Sequence, residues 1–222
     1  MKLEKFEKNI GYTFKDKNLL KNALTHTSYA FDHHVESNEK LEFLGDSILE
    51  FISSKYLYHE FPNLSEGEMT KVRATVVCED SLHKIAQKHN FSDFLFVGKS
   101  EQLHQGNRKV AIMADSVEAI IAAMYFDGGL NEAEKFIVNN LKDEIEIATK
   151  NVGIKDHKTI LQEKLQEHGN VSIKYEIISE SGPDHNKTFV AQVKLDGKVL
   201  ANGTGKTKKQ AEQEAARKAL EK

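Results

Sequence analysis

The feature that most limits what this chain can fold into is a change in its hydrophobic period near residue 150. Up to about residue 147, apolar residues recur every three or four positions, which predicts helices almost throughout. The segments VSIKYEIIS (171–179) and TFVAQVKL (188–195) instead alternate apolar and polar residues, as half-buried strands do. The sequence therefore predicts a multidomain α and α+β chain: an all-α domain at 1–147, a linker at 148–154 and a smaller α+β domain at 155–222.

Local signals place the ends of several helices in the first domain. SEGE (65–68) and NEAE (131–134) each put a capping residue three positions before a glutamate. DGG (127–129) predicts the end of the helix that precedes the second of these. That helix, VAIMADSVEAIIAAMYF (110–126), is apolar almost all round, so we expect it to be buried.

The second domain reads as α-β-β-β-α. A helix in KTILQEKLQEHG precedes the two alternating segments, an Asp-Gly turn at 196–197 leads to a third strand in KVLANG, and an alanine-rich helix closes the chain. Residues 1–153 carry six more acidic than basic residues, whereas residues 154–222 carry three more basic than acidic ones. Opposite charge balances predict different tasks for the two domains.

Composition excludes several classes of protein. No segment reaches the roughly 18 apolar residues of a membrane span, and the N-terminus lacks the apolar core of a signal peptide. The single cysteine, Cys78, excludes an internal disulfide framework and a cysteine-based zinc cluster. We therefore expect a cytoplasmic protein without a membrane partner.

The helix in NEKLEFLGDSILEF (38–51) carries an unusual row of acids. At 100° per residue, one narrow arc holds Glu39, Glu42 and Asp46, and the opposite arc is apolar. One interpretation is an amphipathic helix that shows its charged face to water. The acids have no compensating base among them, and the apolar ring of Phe43 lies beside them, which favours a site instead.

A second acidic pair lies within the apolar helix. Asp115 and Glu118 share a face with the small residues Ala111, Ala119 and Ala122, which would let another helix approach. Two unpaired carboxylates there would cost several kcal/mol each or take up protons. Basic groups from elsewhere in the chain could neutralise them. A divalent metal is the better match for clustered oxygen ligands without histidine or cysteine, and with the first helix the set is rich enough in carboxylates to bind Mg²⁺.

Three motifs together resemble a known family. NEKLEFLGDS (38–47), FPNLSEGEMTKVRATVV (61–77) and ADSVEAIIAA (114–123) closely resemble bacterial ribonuclease III, and the likeness covers essentially the whole chain. The resemblance implies a ribonuclease III nuclease domain followed by a double-stranded-RNA-binding domain. It implies hydrolysis of duplex RNA by a metal-activated water, leaving 5′-phosphate and 3′-hydroxyl ends, in the processing of ribosomal RNA precursors, messenger RNA and other structured transcripts.

The resemblance also implies roles for individual residues. Glu42, Asp46, Asp115 and Glu118 match the metal ligands, and Asp46 and Glu118 are also catalytic. Glu39 and Glu66 match further acids of the cleavage site. The implied cofactor is Mg²⁺, with Mn²⁺ as a substitute and two ions per active site during catalysis, and no nucleotide cofactor. Family members are homodimers in which the aromatic at Phe43 inserts into a pocket of the partner; the alternative is a core residue of its own chain.

The expected RNA contacts lie mostly in the second domain. A lysine cluster begins the last helix, where the N-terminal dipole favours phosphate, although such a cluster alone could be a solvated face. The matching residues are Thr159, Gln162, Glu163, His185, Lys206, Lys208 and Lys209, with Arg108 in the first domain. His26, in ALTHTS, matches a family motif but is expected to be a core residue without a catalytic role.

Two other functions compete with an enzyme. The chain could be a non-cleaving double-stranded-RNA-binding dimer, but no carboxylate of the set is replaced by a neutral residue, which favours an enzyme. A helical di-iron protein would need two Glu-x-x-His motifs, and the sequence has only Glu101 to His104. That interpretation is rejected.

Overall fold

In the computed structural model the chain divides into two compact units, residues 1–153 and 154–222. The structure describes residues 2–152, 157–166, 171–183 and 187–221. No helix among these residues is both long and apolar enough to cross a membrane.

The regular structure in the described part of the first unit consists of α-helices and two 3₁₀ turns, and an isolated bridge joins Thr25 and Phe96. Its helices are α1 Lys2–Ile10, α2 Lys17–Ala23, α3 Thr27–His33, α4 Glu39–Glu60, α5 Glu66–Val76, α6 Glu79–Lys88, α7 Lys99–Leu103, α8 Val110–Gly128 and α9 Leu130–Val152. The predicted capping box at the start of α5 is present, since Ser65 and Glu68 satisfy each other's backbone groups. The predicted end of α8 is also confirmed, because Gly129 follows it with a φ of 86°.

Two expectations about α9 are wrong. The helix starts at Leu130 instead of after a cap at Asn131, because the Gly129 carbonyl already accepts bonds from the N–H groups of Glu132 and Ala133. It also runs to Val152, so residues 148–152 are helix and not the predicted linker. Ala148 and Val152 pack against the core, and this apolar contact extends the helix beyond the point where its pattern weakens.

The apolar helix α8 lies at the centre of the first unit, as expected. Its buried residues face neighbours on several sides, including α4, α6 and α9. A helix that is apolar all round can be covered only in this way. The most extensive of these contacts is with α4, the helix that carries the row of acids.

The second unit confirms the predicted α-β-β-β-α order. Helix α10 (His157–Gln166) is followed by strands β1 (Ile173–Ser181), β2 (Thr188–Leu195) and β3 (Lys198–Gly205) and by helix α11 (Lys208–Leu220). The strands form an antiparallel sheet in the order β1-β2-β3. Both turn residues, Asp196 and Gly197, have positive φ, as a two-residue hairpin turn requires.

The last helix lies directly against β3. A Cβ atom added at Gly203 would lie 2.1 Å from the backbone nitrogen of Ala215, and one at Gly205 would lie 2.5 Å from that of Ala211. Only glycine allows the helix this close to the strand. The two glycines therefore fix the position of α11 and of the lysines at its start.

Candidate active site

The two acidic helices meet where Gly45 of α4 contacts the backbone of Glu118 on α8. A Cβ atom added at Gly45 would lie 1.9 Å from the carbonyl oxygen of Glu118, so no other residue fits without moving a helix. Glu118 is therefore held beside the turn of α4 that carries Glu42 and Asp46. Ala119 and Ala122 are buried as predicted, whereas Ala111 is exposed.

The carboxyl groups brought together in this way repel each other. Burial, with the nearby charges of Asp46, Glu42 and Asp115, raises the pKa of Glu118 to about 8. Burial also raises the pKa of Glu42, to which Asp115, Glu39 and Asp46 contribute. The five acids predicted from the two helices thus form one electrostatic cluster, which we call the acid cluster: Glu39, Glu42, Asp46, Asp115 and Glu118.

Burial raises the pKa of Asp115 as well, and the next largest cause is the charge of Glu79 in the first turn of α6. The charge of His26 lowers the pKa of Asp115, in the opposite direction. No lysine, arginine or histidine in the described part of the chain forms an ion pair with Glu42, Asp46, Asp115 or Glu118. The alternative of neutralisation by basic groups therefore finds no support among these residues.

The described residues contain no group of three His, Cys, Asp or Glu side chains placed closely enough to hold a metal ion. The donor set nevertheless fits a hard divalent cation, since it is made of carboxylate oxygens on two helices in direct contact. Metal binding by these residues stays a prediction.

The two additional acids lie in different places. Glu39 starts α4 and accepts a hydrogen bond of 2.8 Å from the Ser37 hydroxyl, at the edge of the acid cluster. Glu66 starts α5 and accepts one of 3.1 Å from Thr70. It lines a groove beside the second half of α4, with Phe51 and Tyr58, and its charge does not contribute to the pKa shifts of the cluster. Within one chain, Glu66 does not join the other acids.

Several predicted RNA contacts of the second unit share one groove. Thr159 and Gln162 on α10 line it together with Lys209 on α11, and Glu163 is exposed on the same helix α10. Thr207 caps α11 by accepting a bond of 3.1 Å from the N–H of Gln210. His185 lies outside the described residues.

Two family models match the chain: "Ribonuclease-III-like" at residues 16–145 and "Double-stranded RNA binding motif" at residues 157–222. Two curated proteins named Ribonuclease 3 are similar over nearly their whole length. The protein of Carboxydothermus hydrogenoformans is 46% identical over 97% of this chain and 93% of its own, and that of Caldanaerobacter subterraneus is 47% identical over 97% and 96%. The chain belongs to the ribonuclease III family.

Solved structures agree with this assignment. The nuclease domain of ribonuclease III from Campylobacter jejuni matches with a TM-score of 0.61 and 39% identity, over 64% of this chain and 97% of that one. Dicer from Pichia stipitis shares the fold at a TM-score of 0.50 and 24% identity, over 94% of each chain. As a ribonuclease III, the protein is an endonuclease of double-stranded RNA, which it binds through its C-terminal motif.

The ribonuclease III nuclease domain leaves Phe43 on its surface. The side chain is 78% exposed, so the alternative of a core residue is wrong. Further along the same helix, Phe51 and Tyr58 are 55% and 69% exposed. Exposed aromatic rings in a row on one helix are typical of a surface that another protein covers.

The cations of this ribonuclease III differ in how they are held. Lys206 donates to the Thr188 hydroxyl at 3.4 Å, and the Lys208 amine lies 5.9 Å from the Phe189 ring centre. Lys209 and Arg108 are exposed, and no residue in the described ranges forms an ion pair with either. His26 is half-buried and caps α3, so it is not the core residue that was expected, although a helix cap is a structural role.

Sequence reasoning missed two residues of the site. Gly45 lies within the motif NEKLEFLGDS, and a glycine inside a helix is itself a signal of close packing, but its partner on α8 could not be read from the pattern. Glu79 carries no such signal, because an acid in the first turn of a helix is common for reasons of the helix dipole alone.

Proposed function

We propose that the acid cluster is a metal-dependent active site that hydrolyses phosphodiester bonds in both strands of an RNA duplex and leaves 5′-phosphate and 3′-hydroxyl ends. The observation that carries the proposal is the contact of Gly45 with Glu118, which holds carboxylates of two helices together without a base. The expected substrates are ribosomal RNA precursors and other structured transcripts in the cytoplasm.

The residues that would hold Mg²⁺, or Mn²⁺ in its place, are Glu42, Asp46, Asp115 and Glu118, with two ions per site during catalysis. When bound, such ions lower the pKa of a coordinated water and neutralise charge on the phosphate oxygens. The chain itself supplies the anionic oxygens and fixes their helices at Gly45. The raised pKa of Glu118 means that this carboxyl holds a proton near neutral pH until a cation replaces it.

The substrate contacts would come mostly from the second unit, with Arg108 in the first. Thr159, Gln162 and Lys209 line one groove, and the lysines at the start of α11 add positive charge beside it. Side chains cannot read bases in the deep groove of A-form RNA, so contacts of this kind recognise backbone and 2′-hydroxyls over about 16 base pairs. The proposed preference is therefore for duplex shape, with little dependence on sequence.

We further propose a homodimer built on the exposed aromatic row of α4. Phe43, Phe51 and Tyr58 lie eight and seven residues apart, on one side of the helix. If two copies of α4 cross antiparallel about a two-fold axis near Phe51, Phe43 of each copy meets the groove lined by Tyr58 and Met69 in the other. Glu66, in the same groove, then lies near the acid cluster of the other copy. The nuclease domain from Campylobacter jejuni likewise has a region involved in dimer formation.

The function is tested by incubating the purified protein with an end-labelled, fully paired RNA of about 60 base pairs in Mg²⁺, in Mn²⁺ and in chelator. We expect both strands to be cut only with a divalent metal, and the products to accept label at the 5′ end only after phosphatase treatment. Binding without cleavage under every metal would instead support the non-cleaving RNA-binding dimer.

A further inference from the structure

The segment of residues 25–32, which includes the ALTHTS residues Thr25 to Ser28, runs beside the segment that leads into α7. The Phe96 N–H donates to the Leu24 carbonyl at 2.9 Å, and the His26 N–H donates to the Phe96 carbonyl at 3.0 Å. Thr25 and Phe96 form the bridge between the two segments, and Thr25 is buried. Residues 25–32 thus hold the start of the loop at 98–109, which ends at Lys109, the residue before α8.

Two side chains of the same segment accept further hydrogen bonds from the backbone at the start of the loop. The Ser28 hydroxyl accepts a bond of 2.9 Å from the Gly98 N–H, and the Asp32 carboxylate accepts one of 3.1 Å from the Lys99 N–H. The His26 Nδ1 atom lies 2.8 Å from the same hydroxyl and orients it. A Cβ atom at Gly98 would lie 2.7 Å from the Ser28 carbonyl oxygen, so the loop begins at a position that only glycine can occupy.

The far end of the loop is closed by an ion pair. The Lys109 amine lies 2.7 Å from a carboxylate oxygen of Glu101, whose side chain is 27% exposed. The Glu101 side chain also covers Gly106, where an added Cβ atom would lie 2.3 Å from the carboxylate. Because Lys109 caps α8, this ion pair ties α7 to the start of the helix that carries Asp115, about 8 Å further along its axis.

The consequence is that two neighbouring cations differ in availability. Lys109 is engaged by Glu101, whereas Arg108 is exposed and has no ion-pair partner among the residues that the structure describes. The loop ends at Lys109, directly before α8, the helix that carries Asp115 and Glu118. A cation at this position is well placed for a phosphate of the strand that enters the site.

We propose that residues 25–32 and Glu101 position the loop at 98–109. Lys109 then has a structural role as a strut, through its ion pair with Glu101, and Arg108 is the residue of the loop that contacts an RNA phosphate. The proposal rests on the proposed function for its substrate. It gives the ALTHTS motif, to which the chemistry of the acid cluster assigns no task, a role as a positioning element, and it separates the roles of two adjacent basic residues.

The test compares Arg108→Gln, Lys109→Gln and Glu101→Gln on a fully paired RNA of about 30 base pairs. Binding is measured in chelator over a range of salt concentrations, and kcat and KM are measured in Mg²⁺. Arg108→Gln is expected to raise KM about fivefold, more than it lowers kcat, and to reduce the salt dependence by about one phosphate contact per chain. Lys109→Gln is expected to lower kcat about fivefold and to leave the salt dependence unchanged.

Glu101→Gln distinguishes a structural role of Lys109 from a direct contact of Lys109 with RNA. Without its ion-pair partner, Lys109 becomes available to RNA. The salt dependence of RNA binding should therefore rise by about one phosphate contact, while kcat falls. Each charge reversal alone, Glu101→Lys or Lys109→Glu, should lower kcat. The double variant, which exchanges the two charges, should restore most of the kcat that either reversal removes. Ser28→Ala should lower kcat in the same way and Ser28→Thr should retain it, because threonine keeps the acceptor for Gly98.

Two control variants match these changes. Lys142→Gln removes an exposed cation from α9, and Lys84→Gln breaks another surface ion pair, with Glu144 at 2.7 Å. Neither should move KM, kcat or the salt dependence. The proposal is overturned if Lys109→Gln weakens binding and reduces the salt dependence as much as Arg108→Gln does, or if the charge exchange restores nothing. If the wild type cuts no RNA with any metal, the proposed function fails, and the salt dependence of binding still decides whether Lys109 is a strut.

Discussion

The two units of the molecule differ in whether their acidic side chains form ion pairs. In the nuclease unit, four carboxylates of the acid cluster lie together without an ion pair to any described residue, and burial raises the pKa of three of them. Among the described residues of the RNA-binding unit, most acids are paired with a cation. These pairs are Lys158–Glu212, Lys187–Glu180, Lys194–Glu176, Arg217–Glu214 and Arg217–Glu221.

This contrast shows what each unit needs from outside. In the proposed function, cations complete the acid cluster, and a second copy of the chain covers the exposed aromatic row of α4. In the RNA-binding unit most described acids already have a cation, and cations such as Lys209 remain for its ligand. Function in this enzyme therefore lies where the chain leaves a group without a partner.

The largest expected effect comes from removing one charge of the acid cluster. Glu118→Gln should lower the cleavage rate by roughly 10³-fold, about 4 kcal/mol of transition-state stabilisation, because a neutral amide is a poor ligand for a hard cation. Binding of duplex RNA should persist. Single-turnover cleavage in Mg²⁺ and a gel shift in chelator measure the two properties.

Glu50→Gln is the matched control, since Glu50 is an exposed acid one turn beyond Asp46 on the same helix. It should change neither rate nor binding. Equal losses from Glu50→Gln and Glu118→Gln would mean that general charge, and not the acid cluster, supports cleavage.

The next effect comes from the helix crossing. Gly45→Ala forces a methyl group to within 1.9 Å of the Glu118 carbonyl oxygen, so α4 and α8 must separate. We expect a loss of about 3 kcal/mol in the free energy of unfolding and a Tm lower by about 6–12 °C, together with loss of cleavage. Scanning calorimetry measures the shift.

Gly67→Ala serves as the comparison, because Gly67 lies in helix α5 with no atom near its added Cβ. Alanine there should stabilise the helix by about 0.5–1 kcal/mol. A Gly45→Ala protein as stable as Gly67→Ala would show that the two acidic helices are not in direct contact.

The third effect concerns the aromatic row. Phe43→Ala should leave the Tm of the isolated chain almost unchanged, because the ring is 78% exposed, but should weaken the dimer by about 2–4 kcal/mol as a buried anchor does. Sedimentation at several concentrations measures this. Phe31→Ala, which removes a ring 83% exposed on α3, is the control and should leave the dimer intact. A wild-type protein that sediments as a monomer at all concentrations would contradict the dimer.

The sequence was sufficient for features that depend on local pattern. The change of period, the capping box at Ser65 and the end of α8 at Gly129 each have a short-range cause, and all are present. The row of acids on α4 followed from a spacing of 100° per residue. The partner helix followed from Asp115 and Glu118, two acids without a base on a helix expected to be buried, and the family resemblance then gave these acids their roles.

What the sequence could not supply were contacts between distant segments. Gly45 meets Glu118, and Glu101 closes on Lys109, because packing of whole helices places them there. The end of α9 was missed for the same reason, since burial of Val152 outweighs a weak local pattern. Glu66 shows the limit most clearly, because its distance from the acid cluster within one chain depends on the path of α4 and α5.

The fourth effect is a dependence of stability on pH. The folded-state pKa of Glu118 is about 8, above its ordinary value of 4.5, so between these values the folded chain keeps a proton that the unfolded chain releases. In chelator, stability should therefore fall as pH rises from about 5 to about 8, by roughly 2 kcal/mol after allowance for solvent screening. Urea unfolding at several pH values measures this fall. Glu118→Gln should flatten the curve and be the more stable protein at pH 8, whereas an unchanged slope would show that Glu118 is not the titrating group.

The smallest effect tests the other side of the comparison, the cations of the RNA-binding unit. Lys209 lines the groove with Thr159 and has no described ion-pair partner, so Lys209→Gln should weaken duplex binding about three- to tenfold and reduce the salt dependence by about one contact. Lys194 is held by Glu176 at 2.6 Å on the sheet, and Lys194→Gln should change binding less than twofold. Titrations of a labelled duplex in chelator at several salt concentrations measure both. If the two variants weaken binding equally, the distinction between paired and unpaired cations has no functional meaning in this unit, and its affinity comes from net charge alone.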